Sequence, residues 1–214
     1  MNISETLFAE YWARVTVQCK RIPTEKTKRP DFWIYPNGTP ILCEIKQINE
    51  NKKDKKVSKS IKVGQILIQG ETPGKRLKDR IKEAVRQLRQ LTKKEFSAIT
   101  VLYSNLPSEI IDPLDPYHIK VAMFGLEQVT LSHGTNGKAL ISRGFGGGRQ
   151  VTPTQNTTLS GVIVLRSTST LHMELYHNPY ATIPIDHGVF KSLGVAEYKI
   201  EEPSSSGWPD WEQI

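Results

Sequence analysis

Residues 31–47 read DFWIYPNGTPILCEIKQ, two apolar segments separated by a turn sequence. The pair Asn37-Gly38 is the strongest short-range signal for a tight turn between antiparallel strands, because both residues tolerate positive φ angles. The sequence therefore predicts a β-hairpin with a two-residue loop. Pro40 cannot donate a ladder hydrogen bond, so we expect the turn end of the hairpin to be irregular.

This loop fixes which residues of the hairpin face each other. Phe32 lies opposite Cys43, and Asp31 lies opposite Glu44. Because side chains alternate between the two faces of a strand, one face is then wholly apolar. It carries Phe32, Ile34, Ile41, Cys43 and Ile45. Asp31, Glu44 and Lys46 are predicted to share the other face.

Two carboxylates opposite each other repel and destabilise a hairpin by some tenths of a kcal/mol. A divalent cation that binds both would offset this repulsion, and Mg²⁺ is usually held by one or two carboxylates together with water and phosphate. Lys46 points to the same side and could hold or deprotonate an attacking water. The alternative is a solvated surface cluster of Asp, Glu and Lys, and hairpin geometry alone does not decide between the two.

Two helices are predicted, one on each side of the hairpin in the sequence. Residues 4–19 have the spacing of an amphipathic helix with Ser4 as a possible N-cap. Residues 75–91 form the clearest helix of the chain. Its core face carries Leu77, Ile81, Ala84, Val85, Leu88 and Leu91. A basic face on the same helix carries Lys75, Lys78, Lys82, Arg86, Arg89 and Lys93.

The remaining segments indicate a mixed α/β protein. Residues 20–30 are expected to be a loop, and residues 49–60 are low in apolar content and expected to be mobile. Strands are predicted at 97–103, 119–124, 160–166 and 171–176. Residues 1–200 are interpreted as one domain, followed by an acidic tail at 201–214, loosely docked at best.

Composition narrows the class of protein. The net charge is +7, but residues 1–95 carry 22 Lys and Arg against 11 Asp and Glu, whereas residues 96–214 carry 7 against 11. A concentrated positive potential supplies sequence-independent affinity for nucleic acid, although a basic solubilising surface has the same composition. Two cysteines are too few for a disulfide framework. With no signal peptide and no run of apolar residues long enough for a membrane helix, a cytoplasmic protein is expected.

Pro30-Asp31 followed after twelve residues by Glu44-Ile45-Lys46, with apolar flanks, resembles the PD-(D/E)xK nuclease superfamily. This superfamily contains restriction endonucleases, Holliday-junction resolvases and Mrr-type enzymes. The resemblance covers residues 1–91 and is only architectural beyond residue 95. It implies a restriction-endonuclease-like α/β core, a mixed central sheet flanked by helices, and a magnesium-dependent phosphodiesterase acting on DNA, with Mn²⁺ expected to substitute.

The resemblance also implies roles for individual residues. Asp31 and Glu44 would bind the metal, with the Ile45 carbonyl as a possible third ligand. Lys46 would be the catalytic lysine. Many members carry a glutamate on the first helix that reaches the metal, and Glu5 matches best, with Glu10 as the competitor. Some members place a glutamine near the scissile phosphate on the helix after the motif, which indicates Gln87.

Basic residues of the first half are candidates for contacts with phosphates. They are Lys52, Lys53, Lys55, Lys56, Lys75, Lys78, Lys82 and Arg86. A homodimer is possible, because enzymes that cut both strands often dimerise. One alternative is an inactive nuclease-like module that only binds nucleic acid. Another is an interaction protein whose basic half meets an acidic partner. The sequence leaves open DNA against RNA, endonuclease against exonuclease action, and cleavage specificity.

Overall fold

A computed structural model describes residues 1–23, 29–64, 72–92, 95–108, 110, 112–133, 139–201 and 210–214 of the chain. The helices in these ranges are α1 (Ile3–Arg14), α2 (Lys52–Lys62), α3 (Lys75–Thr92) and α4 (Pro116–Phe124). The strands are β1 (Cys19–Arg21), β2 (Phe32–Ile34), β3 (Ile41–Ile48), β4 (Ser97–Ser104), β5 (Glu127–His133), β6 (Ala139–Phe145), β7 (Gly161–Ser167), β8 (Leu171–His177), β9 (Val195–Lys199) and β10 (Glu212–Gln213). None of these helices has the length and apolar character needed to cross a membrane.

Eight strands form one mixed sheet in the order β1-β2-β3-β4-β7-β8-β9-β10, while β5 and β6 form a separate hairpin. The pairs β3-β4, β4-β7 and β8-β9 are parallel, and the others in the sheet are antiparallel. The fold class is therefore α/β with a mixed sheet and helices packed against it, as the sequence predicts.

The register of the central hairpin is the predicted one. Phe32 pairs with Cys43 and Ile34 with Ile41. Asn37 and Gly38 both have positive φ angles, 51° and 81°. The strands stop at residues 34 and 41, however, so the connection is longer than the two-residue loop that we expected. The residues around the turn form a short 3-10 segment instead, consistent with a proline at position 40.

Each face of the sheet is covered by its own apolar core. On one face, α1 packs through Phe8, Tyr11 and Trp12 against the odd-numbered residues of β3. On the other face, α3 packs through its predicted apolar residues against Leu42 and Ile48. Because β3 alternates between these two cores, Glu44 and Lys46 lie on the α3 side.

Two helix predictions need correction in their details. Helix α1 begins after Asn2, whose side chain accepts the Glu5 amide hydrogen bond, so Ser4 is a buried helical residue and not the N-cap. The helix ends at Arg14, before the expected residue 19, and Thr16 beyond it has a positive φ of 57°. Helix α3, in contrast, matches the prediction to within one residue.

The segment at 49–60, which we expected to be mobile, is mostly helical in the structure. Most of it belongs to α2, which begins with a reciprocal capping box between Asn51 and Asp54. Arg76 at the start of α3 donates to the Asp54 carboxylate and to the Asn49 carbonyl. A helix of low apolar content is thus held by its first turn, through hydrogen bonds and an ion pair.

The predicted strand at 119–124 is also wrong, because these residues belong to α4. Asp115 caps this helix and Pro116 occupies its first turn, two favourable features at a helix start. The run from Ile119 to Phe124 is buried all round, so it lacks the polar face that reveals a surface helix in a sequence. Strand β1 spans the predicted boundary between the first helix and the loop at 20–30, and β1, β5, β6, β9 and β10 were not predicted.

The end of the chain is docked, unlike the loose tail that we expected. Strand β10 pairs with β9, and the Trp211 ring packs against Phe124 and Tyr176. The Trp211 indole N–H also donates to the Pro116 carbonyl at 3.0 Å. Residues 202–209 of the expected tail lie outside the described residues.

Candidate metal centre and cleft

Three side chains predicted from the hairpin register converge at the start of β2 and the middle of β3. The Asp31 amide donates to the Cys43 carbonyl at 3.0 Å, and the Asp31 carboxylate accepts the Ile45 amide at 2.8 Å. These bonds extend the hairpin and place the Asp31 carboxyl group beside the Glu44 carboxyl group, close enough for the Asp31 charge to act on Glu44. The Lys46 ammonium lies 2.7 Å from Glu44 Oε1.

These groups line a cleft of about 360 Å³. Its wall is formed by Asn2, Glu5, Arg21, Ile22, Pro23, Arg29, Pro30, Asp31, Glu44, Ile45, Lys46, Glu83 and Gln87. The first helix therefore contributes Glu5 to the cleft, whereas its competitor Glu10 is exposed and does not line it. Ile45 lies in the wall as predicted, with its side chain in the apolar core on the α1 side.

Glu5 is held in place at the cleft by two neighbours. The Asn2 side chain donates to Glu5 Oε1 at 3.0 Å, and the Arg21 guanidinium donates to Glu5 Oε2 at 3.1 Å. Arg21 and Arg29 add positive charge to a wall that also contains four carboxyl groups. Neither arginine was predicted at the site, although both lie in the basic segment just before Asp31.

Helix α3 supplies two partners for Lys46. The Lys46 ammonium donates to Gln87 Oε1 at 2.5 Å and to Glu83 Oε1 at 3.3 Å. With Glu44, the three N–H donors of the lysine thus have three acceptors. Gln87 was predicted at the site and Glu83 was missed. Glu83 could have been inferred from the sequence, because it lies one turn before Gln87 on the same side of the helix.

Burial and charge act together on the two central acids. Burial, followed by the negative charge of Asp31, raises the pKa of Glu44 to about 8, although the Lys46 ammonium lowers it. Burial also raises the pKa of Asp31, and the nearby Glu5 charge adds to this effect, while the hydrogen bond from the Ile45 amide opposes it. A buried acid and a half-buried acid side by side are therefore poorly compensated by a single lysine.

A divalent cation fits this residue set by its chemistry. Glu44 is only 1% exposed, and its Oε2 atom has no hydrogen-bond partner within the described residues. A buried carboxylate oxygen without a partner costs free energy that a bound cation removes. Carboxylate and carbonyl oxygens are the ligands that Mg²⁺ prefers. No group of three or more His, Cys, Asp or Glu side chains in the described ranges is arranged to hold a metal, so Asp31 and Glu44 would act as a pair.

The basic residues predicted to contact nucleic acid lie outside the cleft wall. Lys52, Lys53, Lys55 and Lys56 are exposed on α2, and Lys75, Lys82 and Arg86 are exposed on α3. Lys78 is half-buried, with its ammonium near Gly148. Within the described part of the chain none of these eight residues has an acidic partner within ion-pair distance, so their charges are available to solvent or to a ligand.

In comparisons with protein-family models, curated proteins and solved structures, nothing matches this chain. What the chain does must therefore be argued from the cleft and from the charge around it.

Proposed function

We propose that this chain is a metal-dependent nuclease that hydrolyses phosphodiester bonds in DNA, with a PD-(D/E)xK-type centre. The observation that carries the proposal is the convergence of Asp31, Glu44 and Lys46 in one cleft, with a buried oxygen of Glu44 lacking a partner. Two acids in contact and one lysine have a clear use in phosphodiester hydrolysis. As a purely structural cluster they are unfavourable.

Asp31 and Glu44 would hold Mg²⁺, or Mn²⁺ in its place, with the Ile45 carbonyl as the proposed third ligand. When bound, the cation supplies Lewis acidity toward the phosphate and toward a water molecule. Lys46 places a positive charge beside the reacting group and can orient the water through its N–H groups. Gln87 and Glu83 hold the Lys46 ammonium against α3. Glu5 adds a third acid to the wall, with Arg21 as its partner.

Charge supports a nucleic-acid substrate. The chain carries a net charge of +7, and lysines and arginines are exposed along α2 and α3. Such a surface binds phosphates without regard to sequence and concentrates a polyanion near the cleft. Arg21 and Arg29 bring guanidinium groups into the cleft itself, where they can pair with phosphate oxygens. A homodimer is part of the proposal for duplex substrates, since one such centre acts on one strand at a time.

The test is cleavage of plasmid DNA, single-stranded DNA and RNA in the presence of Mg²⁺ or Mn²⁺. Asp31→Asn keeps an acceptor for the Ile45 amide but removes the charge, and Lys46→Met keeps the length of the side chain but removes the ammonium. We expect each to lower the rate by about 10²-fold or more. Lys191→Ala, an exposed lysine outside the cleft wall, is the matched control and should cut normally.

Two outcomes would contradict this function. Cleavage that persists at full rate in both Asp31→Asn and Lys46→Met would assign the activity to a contaminant or to another site. DNA binding that is sensitive to salt, without cleavage under any divalent cation, would favour the inactive nucleic-acid-binding module instead.

A further inference from the structure

Two buried oxygen atoms on the α3 side of the sheet lack hydrogen-bond partners within the described residues. One is Oε2 of Glu44, and the other is Oγ1 of Thr100 on β4. Thr100 is fully buried and does not belong to the cleft wall, so neither the sequence motif nor the shape of the cleft points to it.

The register of the sheet places these two residues side by side. Strands β3 and β4 are parallel, and Glu44 pairs directly with Thr100. Paired residues of adjacent strands project from the same face of a sheet, and the strands are about 4.8 Å apart. Thr100 is thus the neighbour of Glu44 on the side of the sheet where Glu44 is buried.

The other neighbours of Thr100 on this face are apolar. Ala98 and Leu102 precede and follow it on the same face of β4, and Val162 pairs with it from β7. All three belong to the apolar core under α3. Glu44 is therefore the polar residue beside Thr100 in the register. A valine has the same shape and would fill this position without an unpaired hydroxyl group.

We propose that Thr100 is a positioning residue of the metal centre: its hydroxyl, unpaired in this structure, donates a hydrogen bond to Oε2 of Glu44 once that carboxylate binds a cation. This bond would fix Oε2 of the carboxylate and leave Oε1, which lies 2.7 Å from the Lys46 ammonium, for the cation. Carboxylates that bind metals are commonly held by such hydrogen bonds from behind. The inference rests on the proposed function, because it assigns Thr100 a role toward a cation held by Asp31 and Glu44.

The test measures Mn²⁺ affinity by titration calorimetry and urea unfolding of the metal-free protein. Loss of a hydrogen bond behind a ligand typically weakens metal binding by a factor of about 10 or more, and we expect this for Thr100→Val. Thr100→Ser keeps the hydroxyl and should stay close to the wild type. Metal-free Thr100→Val should be no less stable than the wild type, because a methyl group replaces an unpaired hydroxyl of the same shape.

Two further variants separate the possible failures. Thr92→Val removes another buried threonine hydroxyl outside the cleft wall and should leave Mn²⁺ affinity unchanged. Glu44→Gln should abolish binding at the centre. If Thr100→Val binds Mn²⁺ as tightly as the wild type does, the inference is overturned and the proposed function stands. If Thr100→Val and Thr100→Ser lose stability and affinity together, Thr100 is only a packing residue. If the wild type binds Mn²⁺ no better than Glu44→Gln does, both proposals are overturned.

Discussion

Glu44 shows how a single residue can combine burial with an electrostatic conflict. Its side chain lies in the middle of a strand, under a helix, with Asp31 on one side and Lys46 on the other. Burial disfavours the charged carboxylate, and the adjacent Asp31 adds repulsion, so that its pKa rises to about 8. Near neutral pH, the folded protein therefore holds a proton on Glu44.

This raised pKa predicts a specific dependence of stability on pH. Between pH 4.5 and 8 the folded state binds a proton on Glu44 that the unfolded chain releases, so the free energy of unfolding falls as the pH rises. The limit is about 1.4 kcal/mol per pH unit for one group. In urea unfolding with a chelator present, the wild type should lose stability relative to Glu44→Gln from pH 5 to pH 8. Parallel curves for the two proteins would contradict the raised pKa.

The contact between Glu83 and Lys46 gives a second prediction, which rests on the proposed function. Because its carboxylate holds the Lys46 ammonium, Glu83→Ala should lower kcat by about 10-fold or more. Glu83→Gln, which keeps an acceptor, should retain more of the rate, with KM changed little in both. Asp79→Ala removes an exposed acid one turn earlier and serves as the control in steady-state assays with DNA. If Glu83→Ala cuts DNA as fast as the wild type does, Glu83 plays no part in the reaction.

Among the helices and strands, the predictions were correct where the local sequence pattern matches the burial of the element in the structure. The Asn-Gly turn and the alternation around it predicted the register of β2 and β3, and hence the meeting of Asp31, Glu44 and Lys46. The periodicity of α3 predicted its core face. Glu83 and Thr100 could not be found in this way, because their places depend on which helix and which strand pack beside β3. That choice is a property of the whole sheet.

The sequence did not predict helices α2 and α4, and the reasons are opposite. Helix α2 has almost no apolar face, and its order comes from capping and from Arg76, a residue 14 positions beyond its end. Helix α4 is so apolar that its pattern resembles a buried strand. In both cases the N-cap residue, Asn51 or Asp115, indicated the start of a helix. The hydrophobic pattern of the following residues indicated something else, and the prediction followed that pattern.

The capping box of α2 can be tested directly. Asn51→Ala removes the side chain that accepts the Lys53 and Asp54 amides, and an N-cap of this kind contributes about 1 kcal/mol. We expect faster hydrogen exchange of the α2 amides, with the β3 and β4 amides unaffected. Lys59→Ala, an exposed change within the same helix, should leave exchange as in the wild type. Unchanged α2 exchange in Asn51→Ala would mean that Arg76 alone holds the helix.

At the scale of the whole molecule, the far edge of the sheet is closed by the end of the chain. Trp211 packs on Phe124 and Tyr176 and donates to Pro116, so it joins β8, α4 and the last strand. Trp211→Ala should reduce the free energy of unfolding by about 1–2 kcal/mol, since the ring is only partly buried. Gln213→Ala, exposed on β10, is the control in the same denaturant titration. A Trp211→Ala protein as stable as the wild type would show that the docked end contributes nothing.

The described wall of the cleft runs from Asn2 to Gln87, so all of its chemical groups come from the first two fifths of the chain. The rest of the protein, from β4 onward, packs against the strand and helix that carry these groups. The first portion is therefore constrained by the chemistry of the cleft, and the second by packing. Under the proposed function, substitutions after residue 104 would affect the reaction only through the packing that supports the cleft, so the loops and the β5-β6 hairpin there could vary without changing the cleavage chemistry. Under the same proposal, proteins built on this plan would share the chemistry by which they cut DNA and differ in the substrate that they recognise.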